Sequence, residues 1–177
     1  MKSDYEILKS KDIIEILDGD KQFGEVEGAR VSLPYLSGPD LCGILTMFGK
    51  TRDYSWHGGS PSRWVYVTEL LTHCIENNTI NNLLAYLFRK EGFQQQLKTV
   101  HISKIDYCYD YIITNVLSEI NKVLYFSNKE LVKVREQFYI KDINKELNID
   151  TPVIKTINRD YIRDLSERAS KDIDENN

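Results

Sequence analysis

A chain of 177 residues with 41% apolar and 28% charged content is long enough for one domain with a real core, and it buries roughly 70% of its extended surface on folding. A net charge of −4, with nine Asp/Glu against five Lys/Arg in residues 1–40, argues against a basic protein that coats nucleic acid through its phosphates. Cys42, Cys74 and Cys108 are odd in number and widely spaced, which fits reduced, buried thiols better than a disulfide framework or a zinc site.

The opening MKSDYEILKSKDIIEIL carries charges throughout and lacks the apolar centre of a signal peptide, and no stretch approaches the roughly 18 apolar residues of a membrane span. A cytoplasmic protein with reduced, buried thiols is expected. After an initial helix around Tyr5 and Leu8, Ser10 is placed to cap a short helix with Ile13, Ile14 and Leu17 on one face and Gly19 behind it. Val26, Val31 and Leu33 then alternate between Gly24 and Gly28 as a short strand or extended arm would.

Ser37-Gly38-Pro39-Asp40 spells a helix start, with Ser37 as cap and Asp40 reaching back, and Leu41, Ile44, Leu45 and Phe48 share a face until Gly49. A second start at Ser60-Pro61 leads Trp64, Val67, Leu71 and Cys74 to the Asn77-Asn78 pair. Thr79 caps a third helix with Ile80, Leu83, Leu84, Leu87 and Phe88, ending near Gly92. The longest helix is predicted from Ser103 to about Val123, with a wide apolar stripe.

The period then changes from 3.6 to 2. Leu124–Phe126, Leu131–Val134 and Phe138–Ile140 read as a small hairpin or three short strands, separated by Asn128 and by Arg135-Glu136-Gln137. Helices followed by a hairpin are the parts list of a winged-helix unit, which many α+β domains share. Thr151–Ile157 reads as extended, and Asn158 caps a charged helix through Tyr161, Ile162, Leu165 and Ala169.

The densest specific region is Val31–Cys74, which holds both tryptophans, a Gly-Gly pair and three of the four prolines. Arg52, Tyr54, Trp56, His57 and Arg63 form a candidate recognition surface, because guanidinium and aromatic groups stack on bases or anchor peptides. Gly58, Gly59 and Trp64 belong to the same cluster, although Trp64 reads more readily as core, since a large aromatic at helical spacing usually packs inward. Arg52 and His57 also fit the Arg-x4–6-His form of HEPN (higher-eukaryote-and-prokaryote nucleotide-binding) ribonucleases, where a cation and an imidazole flank the RNA phosphate. Eight arginines and three histidines meet such a spacing readily by chance, and this one falls in a loop. No metal site is expected: His73-Cys74 and His101 with Cys108 lack the paired spacing, and Asp106 and Asp110 read as helix surface.

The blocks SLPYLSGPDLCGILTMFG (Ser32–Gly49), SRWVYVTELLTHCI (Ser62–Ile75), LLAYLFRKEGF (Leu83–Phe93), INKVLYFSNKELVKVREQFYI (Ile120–Ile140) and VIKTINRDYIRDLSERASKDI (Val153–Ile173) occur in this order over nearly the whole chain. They resemble the N-terminal module of bacterial abortive-infection proteins whose second half is the abortive-infection C-terminal domain. The resemblance implies that the charged helix runs into an all-helical domain related to the HEPN class, which carries the ribonuclease residues and lies beyond this chain. Arg52 and His57 do not correspond to that motif.

Together these readings predict a mainly helical α+β fold with a small antiparallel hairpin in the C-terminal third. Residues 1–157 form one globular domain, and residues 158–177 a linker helix leading toward an absent C-terminal domain. The expected role is a non-catalytic sensor or regulatory module of phage defence, with no cofactor and no membrane, that binds a protein or a nucleic acid and is compatible with self-association. A second reading is a stand-alone winged-helix-type nucleic-acid-binding protein, using Lys133 and Arg135 beside Lys129 and Lys141. A third is a small inhibitor of a nucleic-acid-processing complex, its acidic N-terminal region mimicking phosphates.

Overall fold

The computed structural model describes residues 2–54 and 61–144, all within a compact unit that spans Met1–Lys145. Trp56, His57, the Thr151–Ile157 segment, the helix from Asn158 and the expected boundary at 157/158 lie outside the described residues. Within them the fold is mainly helical with two small antiparallel sheets, so the predicted class is correct. In chain order it runs α1 (Lys2–Tyr5), α2 (Lys11–Leu17), β1 (Glu25–Val26), β2 (Ala29–Arg30), α3 (Gly38–Met47), α4 (Arg63–Glu76), α5 (Ile80–Phe88), α6 (Gln94–Leu97), α7 (Ile105–Tyr125), β3 (Lys129–Val134) and β4 (Gln137–Asp142).

Helix α3 starts where the local chemistry demands. The Ser37 hydroxyl accepts from the Asp40 amide at 3.3 Å and the Asp40 carboxylate accepts from the Ser37 amide at 2.9 Å, a reciprocal capping box. The other expected caps differ. Ser10 stands at the start of α2, but its buried hydroxyl finds no partner, and the Thr79 hydroxyl turns back toward the Cys74 carbonyl instead of capping α5.

Helix α4 is the hub, packing against α2, α3 and α5, with Tyr66, Val67, Leu70, Leu71, Cys74 and Ile75 buried. The expected inward packing of Trp64 fails: it is 45% exposed. At 3.6 residues per turn Trp64 shares the sector of buried Leu71 and Ile75, but in the first turn of α4 it is left facing out. His73 closes the other end, its Nε2 2.9 Å from the Phe48 carbonyl that ends α3. Cys42, Cys74 and Cys108 are buried and unpaired.

Helix α7 extends through Tyr125, so Leu124–Phe126 is not a strand. Leu124 keeps the helical register of Ile120 and Val116 and is fully buried, while Phe126 is 90% exposed. Three residues are too few to separate a period of 2 from one of 3.6. The predicted hairpin is β3–β4, paired from Lys129↔Asp142 to Val134↔Gln137 around Arg135-Glu136. Its inner residues Leu131, Phe138 and Ile140 face the core, and the Phe138 ring lies 4.6 Å from that of Phe88 on α5. The Asn121 amide of α7 binds both polar groups of Leu131, at 2.6 Å to its N–H and 3.0 Å to its carbonyl. The hairpin is therefore clamped to the helices along its inner face. A shorter hairpin, β1–β2, turns at Glu27-Gly28, both with left-handed φ.

Candidate recognition groove and the residues around it

The residues singled out from the sequence are mostly bound into the domain. The Arg63 guanidinium, on the first turn of α4, lies 4.1 Å from the centre of the Tyr35 ring. Its nitrogens donate to the carbonyls of Leu36 (3.0 Å) and Asp18 (3.3 Å) and pair with the carboxylates of Asp18 and Asp20. Asp18 is only 3% exposed, and burial pushes its carboxyl above the ordinary range against the pull of the Asp20 amide and Arg63. Arg63 thus ties α4 to the chain between α2 and α3.

Arg52 sits at the back of α3 and α4. Its Nε lies 3.5 Å from a Glu69 carboxylate oxygen, its guanidinium carbon is 5.5 Å from the Tyr66 ring centre, and Lys50 shares Glu69 at 2.9 Å. Neither Arg52 Nε nor the buried Tyr66 hydroxyl makes a hydrogen bond. Tyr54 is half-buried, its ring 6.1 Å from that of Tyr66, and it fills the space left by Gly38, where a β-carbon would overlap it. Arg52 and Tyr54 thus meet at Tyr66, while Arg63 serves a different seam. Burial pushes the thiols of Cys42, Cys74 and Cys108 up, which keeps them protonated and poor as nucleophiles at neutral pH.

The hairpin cations are largely neutralised in place. Lys129 pairs with Asp4 and Asp142, Lys133 with Glu136 at 3.5 Å, and Lys141 with Glu130 at 3.0 Å. Arg135, exposed at the turn with φ 57°, has no ion pair among the described residues.

A feature that the linear reading missed lies between α3, α5 and the Pro34–Leu36 segment. These elements enclose an open groove of about 440 Å³, within the usual range for ligand sites. Leu17, Ile44 and Leu87 line its depth, and Tyr35 (56% exposed) and Met47 (54% exposed) stand at its rim beside Pro39 and Tyr86. Gly43 occupies the middle of α3 facing this space. A β-carbon there would meet nothing within 4 Å, so no internal contact requires the glycine. A helix-interior glycine costs about 1 kcal/mol relative to alanine, and what it gains here is clearance. The signal in the sequence was a single Gly43 inside an otherwise apolar helical period.

Among the described residues no group of three or more His, Cys, Asp or Glu is placed to hold a metal ion, and no helix is long and apolar enough to cross a membrane. Compared with protein-family models, curated proteins and solved structures, the chain matches none.

Proposed function

We propose that this chain is a non-catalytic sensor or regulatory module of a bacterial phage-defence protein of the abortive-infection kind, and that its cue is a protein bound in the groove between α3 and α5. The observation that carries the reading is the groove itself: an open, apolar-lined cleft with exposed Tyr35 and Met47 at its rim and an unforced glycine in its wall. Exposed aromatic and methionine side chains around a cleft favour association over solvation. The phage-defence context comes from the five-block resemblance.

The test is affinity purification of the chain from phage-infected and mock-infected cells, with wild type and Gly43→Trp side by side. An infection-dependent partner that Gly43→Trp loses is the expected result. The same bound set from both cultures, or a partner retained in full by folded Gly43→Trp, overturns the reading.

The alternative is nucleic-acid binding by the β3–β4 hairpin, favoured by exposed Arg135 at its tip. It ranks second because the three neighbouring lysines already have carboxylate partners. Such binding would fall steeply with salt and weaken across all sequences in Lys133→Glu, and salt-insensitive or absent binding removes it.

A further inference from the structure

The polar groups of the groove narrow what it accepts. Arg89, the C-cap of α5, has its guanidinium carbon 3.4 Å from the centre of the Tyr86 ring, and one terminal nitrogen donates to the Tyr86 carbonyl at 2.9 Å. Its Nε and second terminal nitrogen have no partner among the described residues. The Asp40 carboxylate, also on the groove, is engaged by the Ser37 amide and hydroxyl. The lining therefore offers one cation with donors to spare and one carboxylate that Ser37 engages through a single oxygen, Oδ2.

The Pro34–Leu36 segment adds backbone groups. The Leu36 amide donates to the Asp18 carbonyl at 2.9 Å, and its carbonyl accepts from Arg63. Between the two prolines of this wall, the Tyr35 amide and carbonyl make no hydrogen bond among the described residues. A free N–H and C=O on one residue match the alternating donor and acceptor of another polypeptide, which a lipid or a nucleobase does not reproduce along its length.

We infer that the groove binds a peptide segment of apolar side chains carrying one acidic residue, laid against the Tyr35 backbone with its carboxylate on Arg89. Apolar side chains fill the space over Ile44 and Leu87, and Gly43 leaves room for the peptide main chain to approach α3. Charge complementarity selects the acidic residue, since a guanidinium fixed on an aromatic face presents its remaining donors as a fork to a carboxylate. This inference rests on reading the chain as a recognition module.

The experiment selects ligands for the full chain from a random heptapeptide library displayed without phage particles, then measures the selected peptides by fluorescence anisotropy. Selected sequences should be apolar with one Asp or Glu. Arg89→Gln should weaken the best of them about fivefold, the size of a half-exposed ion pair, and replacing the peptide's acid by its amide should cause the same loss without adding to it. Met47→Glu, on an exposed side chain that folding does not need, should abolish binding; circular dichroism confirms that each variant is folded.

Peptides that ignore Arg89→Gln, or the absence of any selected peptide, overturn the inference. If infection-dependent capture lost on Gly43→Trp persists in that case, the module reading survives alone. A monomer–dimer equilibrium abolished by Met47→Glu would assign the groove to a second copy of the chain and likewise overturn the inference.

Discussion

Arg63 holds Tyr35: the guanidinium stacks 4.1 Å from the ring centre while the same side chain binds the carbonyl of Leu36, the next residue along. One side chain on α4 thereby fixes the wall of a groove that α4 does not line. A residue read from the sequence as a contact for partners is placed in the structure against the wall of that groove.

Arg63→Ala should destabilise the domain by about 3 kcal/mol, because it leaves the Asp18 carboxylate buried without its cation. Arg63→Lys should recover only part of the loss, since a point charge cannot serve two carbonyls and stack on a ring. Urea unfolding midpoints with an unchanged slope measure both. A loss under about 0.5 kcal/mol, the range of ordinary surface changes, would contradict the clasp.

The same carboxylate sets a pH dependence. Asp18 is raised in the folded state above its ordinary 3.8, chiefly by burial, so the folded protein binds this proton more tightly than the unfolded chain. Its contribution therefore declines as pH rises from 3.8 through the raised value. Asp4 runs the other way: the Lys129 hydrogen bond lowers it, and the stability it adds is present above 3.8 and lost as pH falls through its lowered value. Unfolding free energies of Asp18→Asn and wild type, compared from acid to neutral pH, should move in favour of the variant as pH rises. A difference that is flat with pH would refute the shift.

Gly38→Ala should cost about 1–3 kcal/mol, the range for overpacking a filled site, because the new methyl enters the space of the Tyr54 ring. Tyr54→Leu should relieve part of that strain, so the double variant should be less damaged than the sum of the singles. Full additivity in a double-mutant cycle would place Tyr54 away from Gly38 in solution.

Tyr66→Phe removes a buried hydroxyl with no hydrogen-bond partner. The change should be neutral or stabilise the domain by about 1 kcal/mol, the desolvation cost of an unpaired polar group. A clear destabilisation in thermal unfolding would mean that the hydroxyl is satisfied in solution.

The elements with strong local chemistry were legible in the chain. The Ser37/Asp40 capping box, the five apolar positions of α5 and the β3–β4 hairpin follow from nearest-neighbour rules, and the structure carries all three. The ends of elements that depend on tertiary packing were not. Tyr125 stays helical because Leu124 is buried and Asn121 is anchored to Leu131, contacts that cross elements and leave no mark in a short window. For the site, charge and aromaticity pointed to Arg52, Tyr54 and Arg63, yet the features that locate functional side chains also describe internal ion pairs. Their difference is burial, which one sequence does not display. The groove was invisible for the opposite reason: its walls come from three separate segments, and its most telling residue, Gly43, has no side chain.

The Lys129 ammonium lies 2.7 Å from the Asp4 carboxylate, and the Tyr5 hydroxyl donates to Asn81 at the same distance. The first turn therefore contacts residues that leave the ribosome long after it does; at 5–20 residues per second the lag to Lys129 is on the order of ten seconds. Throughout that interval the Asp4–Lys129 pair cannot form. Closing a loop of that length adds little entropy beyond what a shorter one requires, so the delay is set by synthesis more than by chain search. A nascent chain released before the hairpin leaves α1 without its hairpin anchor.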